Sequence, residues 1–208
     1  MSDTSSRIAI VGAGRVGRAL GARWLEAGHD VVFGVREPSD PRHADLGAPA
    51  LSVADAAAAA DVVVLATPWA ATEQAARAVA SCGAIVVDAT NPLADMAMDP
   101  RAVEAGSGAA LVAGWTGSHR VVKAFNSTGT PNMADTTYPG GTPMMPVAGD
   151  DAAAREVVLA LARDAGFDAV DAGPLDAAAD LEHLAMLWIR LAFAMGNGPG
   201  IAFALLRR

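Results

Sequence analysis

The most constraining stretch of this chain lies near its start, where residues 7–17 read Arg-Ile-Ala-Ile-Val-Gly-Ala-Gly-Arg-Val-Gly. Ile8 to Val11 form an unbroken apolar run, which suits a short strand covered on both faces. Gly12, Gly14 and Gly17 follow at the spacing G-x-G-x-x-G. The first glycine permits a tight turn, the second lets backbone approach a pyrophosphate, and the third lets a helix pack on the strand. Such a helix turns unpaired N–H groups and its positive dipole end toward the phosphates. In a glycine-rich chain the spacing alone is weak. With a strand before it and a helix after it, Gly12, Ala13, Gly14, Arg15, Val16 and Gly17 form a dinucleotide-binding turn.

The rest of the chain is compatible with that start. Apolar runs at residues 31–35, 62–66, 84–88 and 121–125 alternate with helical segments at 14–27, 52–59, 70–81 and 107–117. Strand–helix alternation implies βαβ units and a parallel sheet, and right-handed crossovers make the doubly wound Rossmann topology the natural α/β solution. Residues 126–146 are rich in Gly, Pro and Thr and lack periodicity. Beyond them come strands near 144–148 and 168–171, a helix over 151–165, and a long apolar helix over 176–195. The expected division is a dinucleotide-binding domain at 7–143 and a small C-terminal α/β part at 144–208.

Composition narrows the partners. The 208 residues are 52% hydrophobic and 18% charged, enough for one sizeable core. A net charge of −8 argues against nucleic acid and against anionic membrane surfaces. A single cysteine, Cys82, excludes an internal disulfide framework and fits a reducing compartment. The first six residues are polar, and no apolar run approaches the ~18 residues of a membrane span, so a cytoplasmic location is expected. The histidines at 29, 43, 119 and 183 have no metal-ligand spacing. The only lysine, Lys123, falls inside an apolar strand, where it serves either as a proton donor or as a buried, paired charge. Asp88, near the end of the neighbouring strand, is its expected partner.

In an open parallel sheet, ligands bind beyond the carboxyl ends of the strands. Here those ends are the glycine turn, Val35-Arg36, Ala66-Thr67-Pro68-Trp69, Asn91-Pro92 and the segment beginning at Asn126. An NAD site wants a carboxylate after the second strand. Val35 offers none, and the Arg36 guanidinium forks well around a 2′-phosphate, so NADP is favoured. Glu37 is the competing group, able to turn back to a ribose diol.

These residues resemble the NADP-dependent oxidoreductases of the 8-hydroxy-5-deazaflavin coenzyme, coenzyme F-420. The resemblance runs from about Arg7 to Leu206. It is carried by the glycine turn, Gly34-Val35-Arg36, Thr67-Pro68-Trp69, Val147-Ala148-Gly149-Asp150-Asp151, Asp171-Ala172-Gly173-Pro174-Leu175 and the tail from Gly198. The cytosolic domain of the six-transmembrane metalloreductases, which uses a flavin, looks more distantly similar. The resemblance implies a Rossmann domain with a small C-terminal part, a homodimer, and direct hydride transfer between two rings held ~3–3.5 Å apart. It places the pyrophosphate on Gly12–Gly17 and the 2′-phosphate on Arg36. Thr67, Pro68, Trp69, Asn91 and Pro92 then line the nicotinamide side. The chain departs from the well-known archaeal members at Val35, where serine is usual, and at residues 88–92 and 123–126. The resemblance implies coenzyme F-420 or a flavin as the partner ring, and the departures at 88–92 and 123–126 border the pocket for that ring. A reductase of a small carbonyl or imine, in which Lys123 would serve as proton donor, and a non-enzymatic NADP-binding sensor are the alternatives.

Overall fold

A computed structural model describes residues 5–80, 82–94 and 97–208. The polar residues 1–4 and the expected helix end at Ser81 lie outside the described residues. The first strand, β1 (Arg7–Val11), leads through the glycine turn into α1 (Arg15–Glu26) and β2 (Asp30–Val35). A 3-10 turn at Pro41–His43 precedes β3 (Ala50–Ser52), α2 (Val53–Ala58), β4 (Val62–Leu65), α3 (Trp69–Ala78) and β5 (Ile85–Asp88). A small antiparallel ribbon, β6 (Leu93–Ala94) with β7 (Ala97–Met98), is followed by α4 (Pro100–Glu104), α5 (Gly108–Thr116) and β8 (Val121–Lys123). The chain continues with α6 (Thr130–Ala134), β9 (Met144–Gly149), α7 (Ala152–Asp164) and β10 (Asp168–Gly173). It ends with a 3-10 turn, α8 (Ala178–Ile189), a π turn at Arg190–Ala194 and an extended tail.

The main sheet has the order β3-β2-β1-β4-β5-β8-β9-β10. Its first six strands are all parallel and follow the doubly wound order, with the switch point between β1 and β4. β9 runs antiparallel to β8, and β10 runs parallel to β9. The two C-terminal strands therefore extend the main sheet and form no separate layer.

Strand parity sorts the core. Ile8, Ile10, Val62, Val64, Val87 and Val122 face the layer containing α1 and α7. Ala9, Val11, Val63, Leu65, Val86 and Val121 face the layer containing α2, α3 and α5. α1 presents Gly17, Leu20, Gly21 and Trp24 to the sheet, and the Trp24 indole N–H donates to the Leu161 carbonyl at 3.0 Å. Several short elements, the β6–β7 ribbon, α4, β3 and α6, form where no element is expected. β3, only three residues long, forms in the loop after β2 as an edge strand. α6 begins at Thr130, with Pro131 next, within the stretch expected to be irregular, and five residues are too few to show a helical period. Among the described residues no helix is long and apolar enough to cross a membrane.

Candidate nucleotide and hydride-transfer site

The glycine turn has a separate reason for each glycine. Gly12 sits at φ +110°, and a Cβ there would lie 2.7 Å from the Ala66 carbonyl oxygen. A Cβ on Gly17 would run into the Gly12 carbonyl, so only glycine lets α1 start this close to β1. A Cβ on Gly14 would meet nothing within 4 Å, so that backbone face is open. α1 has no side-chain cap and no acid in its first turn. Its first internal bond runs from the Arg18 N–H to the Gly14 carbonyl, which leaves the N–H groups before it unused within the helix. An open backbone face at an uncapped, acid-free helix N-terminus fits a pyrophosphate.

The turn forms the floor of a cleft of about 660 Å³. One wall runs from Val35 through Arg36 and Glu37 to Asp40, Arg42 and His43, and the other carries Ala66, Thr67 and Pro68. Most cations on this wall are already spent. Arg18 pairs with Asp45 at 2.7 Å and donates to the Ala13 carbonyl at 3.1 Å. Arg42 grips both oxygens of Asp40, and these hydrogen bonds hold the Asp40 carboxyl down to about 2. Arg36 makes no ion pair or side-chain hydrogen bond among the described residues and stands exposed at the mouth. Glu37 is exposed beside it. His43 contributes a buried Nδ1 with no partner among the described residues. Arg15 is exposed and Val16 half-buried, and neither lines the cleft.

Farther along the sheet edge the expected residues separate. The Thr67 hydroxyl lies 3.1 Å from that of Thr72, and Thr67 and Pro68 reach the cleft. Trp69 turns inward. Its indole N–H donates to Asp99 at 2.7 Å, and its ring packs on Trp115 with centroids 5.5 Å apart. Arg101 first, and the Trp69 indole second, hold the Asp99 carboxyl well below the usual carboxylate range. Pro92 is buried, and Asn91 and Asn126 join each other across the ends of β5 and β8.

Lys123 does pair with Asp88, its register partner on the adjacent strand, at 2.9 Å. A second carboxylate, Glu182 of α8, lies 2.9 Å away on the other side. The Thr90 carbonyl accepts a third bond at 2.7 Å, so the ammonium has three acceptors and no exposed surface. Burial alone would push its pKa down, and the two carboxylates reverse this and raise it. The Glu182 carboxylate also accepts from the Gly108 and Ala109 N–H groups, which begin α5. This cluster ties α8 to the sheet and does not open on the cleft.

Two groups on this map escape sequence reasoning. The Asp40–Arg42–His43 turn had a visible mark, since Asp before Pro is an N-cap followed by Pro at the first helical position. Glu182 is the one acid on the buried face of an otherwise apolar helix.

Residues 7–92 match the family model described as NADP oxidoreductase, coenzyme F-420-dependent. A solved protein from Arthrobacter sp. FB24, provisionally described as an F-420-dependent NADP-reductase, is 30% identical. Its alignment covers 98% of this chain and 100% of that one, with a TM-score of 0.84. The chain belongs to the coenzyme F-420-dependent NADP oxidoreductase family. It is thus an NADP-dependent oxidoreductase. A hypothetical protein from Sinorhizobium meliloti is similar over 100% of this chain and 98% of its own, at 28% identity and a TM-score of 0.72. An imine reductase from Myxococcus stipitatus, at 22% identity and a TM-score of 0.63, matches 92% of this chain and 61% of its own, and shows the fold alone.

Proposed function

We propose that the chain transfers a hydride between NADP(H) and a deazaflavin-type coenzyme, coenzyme F-420, bound against the nicotinamide. The observation that carries the nucleotide half is the cleft that runs from the open face of Gly14 to the uncompensated Arg36. In this reading Gly12 to Gly17 hold the pyrophosphate and Arg36, beside Val35, takes the 2′-phosphate. Ala66, Thr67 and Pro68 support the ribose and ring, with Asn91, Pro92 and Asn126 farther along the strand ends, and Trp69 backs them from the core. The nicotinamide supplies a hydride at its C4. The hydride passes directly to ring carbon, and the proton taken up by a ring nitrogen of the deazaflavin comes from solvent, so no protein acid or base is required. An ammonium saturated by Asp88, Glu182 and Thr90 fits a structural Lys123 better than a proton donor.

The deazaflavin half is supported by the family match and by the full-length similarity to the Arthrobacter protein. We take residues 7–143 as the dinucleotide-binding domain and 144–208 as the extension that closes the second-ring pocket and makes a homodimer contact. A cytoplasmic setting suits the lone, half-buried Cys82. The test is NADPH oxidation with the deazaflavin, with free flavin, with a cyclic imine and with no acceptor. Fast turnover with the deazaflavin alone is expected. Turnover only with flavin or imine would overturn the acceptor assignment.

A further inference from the structure

The carboxyl end of β8 holds a strained residue followed by an unsatisfied one. Phe125 lies at φ +59°, left-handed for a residue with a Cβ. It is fully buried, its N–H donates to the Met145 sulfur at 3.1 Å, and its ring sits edge-on to Trp24. Such backbone strain persists where the surroundings over-determine it, and it clusters at ligand sites. Asn126 comes next and is 4% exposed.

The orientation of the Asn126 amide follows from its neighbours. The Asn126 main-chain carbonyl can only accept, so the Asn91 amide 2.9 Å away must present Nδ2 to it. The Asn91 Oδ1 then faces Asn126, whose Nδ2 donates to it at 3.1 Å and to the Leu181 carbonyl at 3.0 Å. Flipping the Asn126 amide would set oxygen against two oxygens. The Oδ1 of Asn126 is therefore fixed away from both, buried, and without a donor among the described residues. Buried acceptors are nearly always paired, so this one calls for a partner.

The place suggests which partner. β5 and β8 lie beyond β1 and β4 in the sheet order, on the side toward which a dinucleotide extends from the glycine turn across the switch point. We propose that Asn126 Oδ1 accepts a hydrogen bond from the carboxamide NH₂ of the nicotinamide. The inference rests on the NADP reading above. Asn126 does not line the cleft of about 660 Å³, and its Oδ1 is screened from solvent, so the proposed contact requires the ring to reach beyond that cleft to a covered atom. It discriminates a docked amide from any ring substituent lacking an N–H.

The probe is the 3-acetylpyridine analogue of NADP⁺, in which a methyl group replaces the NH₂. Titration should show it binding wild type about tenfold more weakly than NADP⁺, the scale of one neutral hydrogen bond. In Asn126→Ser the two dinucleotides should bind alike, while 2′,5′-ADP, which has no nicotinamide, binds as it does to wild type. Equal affinity of wild type for NADP⁺ and the analogue overturns the proposal without any variant. Discrimination that persists in Asn126→Ser overturns it too. If wild type binds neither NADP⁺ nor 2′,5′-ADP, the NADP reading itself fails and this inference falls with it.

Discussion

Arg36 and Glu37 stand side by side at the mouth of the cleft, and coenzyme choice turns on which of them meets the adenosine ribose. Arg42 and Arg18 are committed to Asp40 and Asp45, so Arg36 is the guanidinium left to meet a 2′-phosphate. A charge-assisted hydrogen bond contributes roughly 1.5–3 kcal/mol, about one to two powers of ten in affinity. Arg36→Ala should weaken NADPH by that order and leave NADH nearly unchanged, measured by titrating both. Equal losses, or tighter NADH binding in wild type, would assign the ribose to Glu37. At this scale the sequence was legible where contacts follow strand parity. Asp88 and Lys123 stand near the ends of adjacent strands on one face, so their pairing follows from the doubly wound order. Glu182 was not legible, because only the fold-back of α8 brings it to Lys123. The inward turn of Trp69 likewise depends on Asp99, thirty residues away and presented by the cap of α4.

Elements of several turns with a clear period emerge from the sequence at nearly their observed bounds, whereas the five-residue α4 and the turn at Pro41–His43 do not, although Asp99 and Asp40 cap them. α7 is expected over 151–165 and spans Ala152–Asp164, capped by Asp151. Elements that depend on a neighbour, such as β3 and α6, carry no such mark. The link between α3 and α4 makes a pH prediction. Asp99 caps α4 and receives the Trp69 indole that begins α3. Its folded carboxyl is depressed below the ordinary value of about 4. Its stabilisation is therefore complete above that value and fades as pH falls through and below it. Asp99→Asn should lower Tm at pH 7, and the gap to wild type should narrow progressively below about pH 4. A gap independent of pH would contradict the role given to the carboxylate.

At the scale of the whole molecule, five of the six parallel strands follow from strand–helix alternation and chirality alone, and the edge strand β3 does not. The antiparallel attachment of β9 does not, because nothing in residues 126–146 states which way the chain re-enters the sheet. The C-terminal segment leaves Leu187, Phe193 and Met195 at 47%, 62% and 66% exposure, while Trp188 on the same helix is buried. Apolar surface left over in this way is expected to meet a twofold copy of itself. Sedimentation should give a dimer at micromolar concentration, and Phe193→Glu should shift it toward monomer. A monomeric wild type would remove the homodimer.

Direct hydride transfer from NADPH to a deazaflavin held by this chain can be followed atom by atom. A deazaflavin accepts the hydride on carbon, where the hydrogen does not exchange with water, whereas hydrogen on a flavin nitrogen does. Incubating the protein with NADPH deuterated at the transferred C4 position and with the oxidised deazaflavin tests this by mass spectrometry of the product. One deuterium should be retained on carbon in the reduced deazaflavin, and none should appear on carbon when unlabelled NADPH is used in heavy water and the product's N–H and O–H hydrogens are exchanged back in ordinary water. Reduced deazaflavin whose new carbon-bound hydrogen comes from solvent, or no reduction of the deazaflavin at all, would contradict direct transfer.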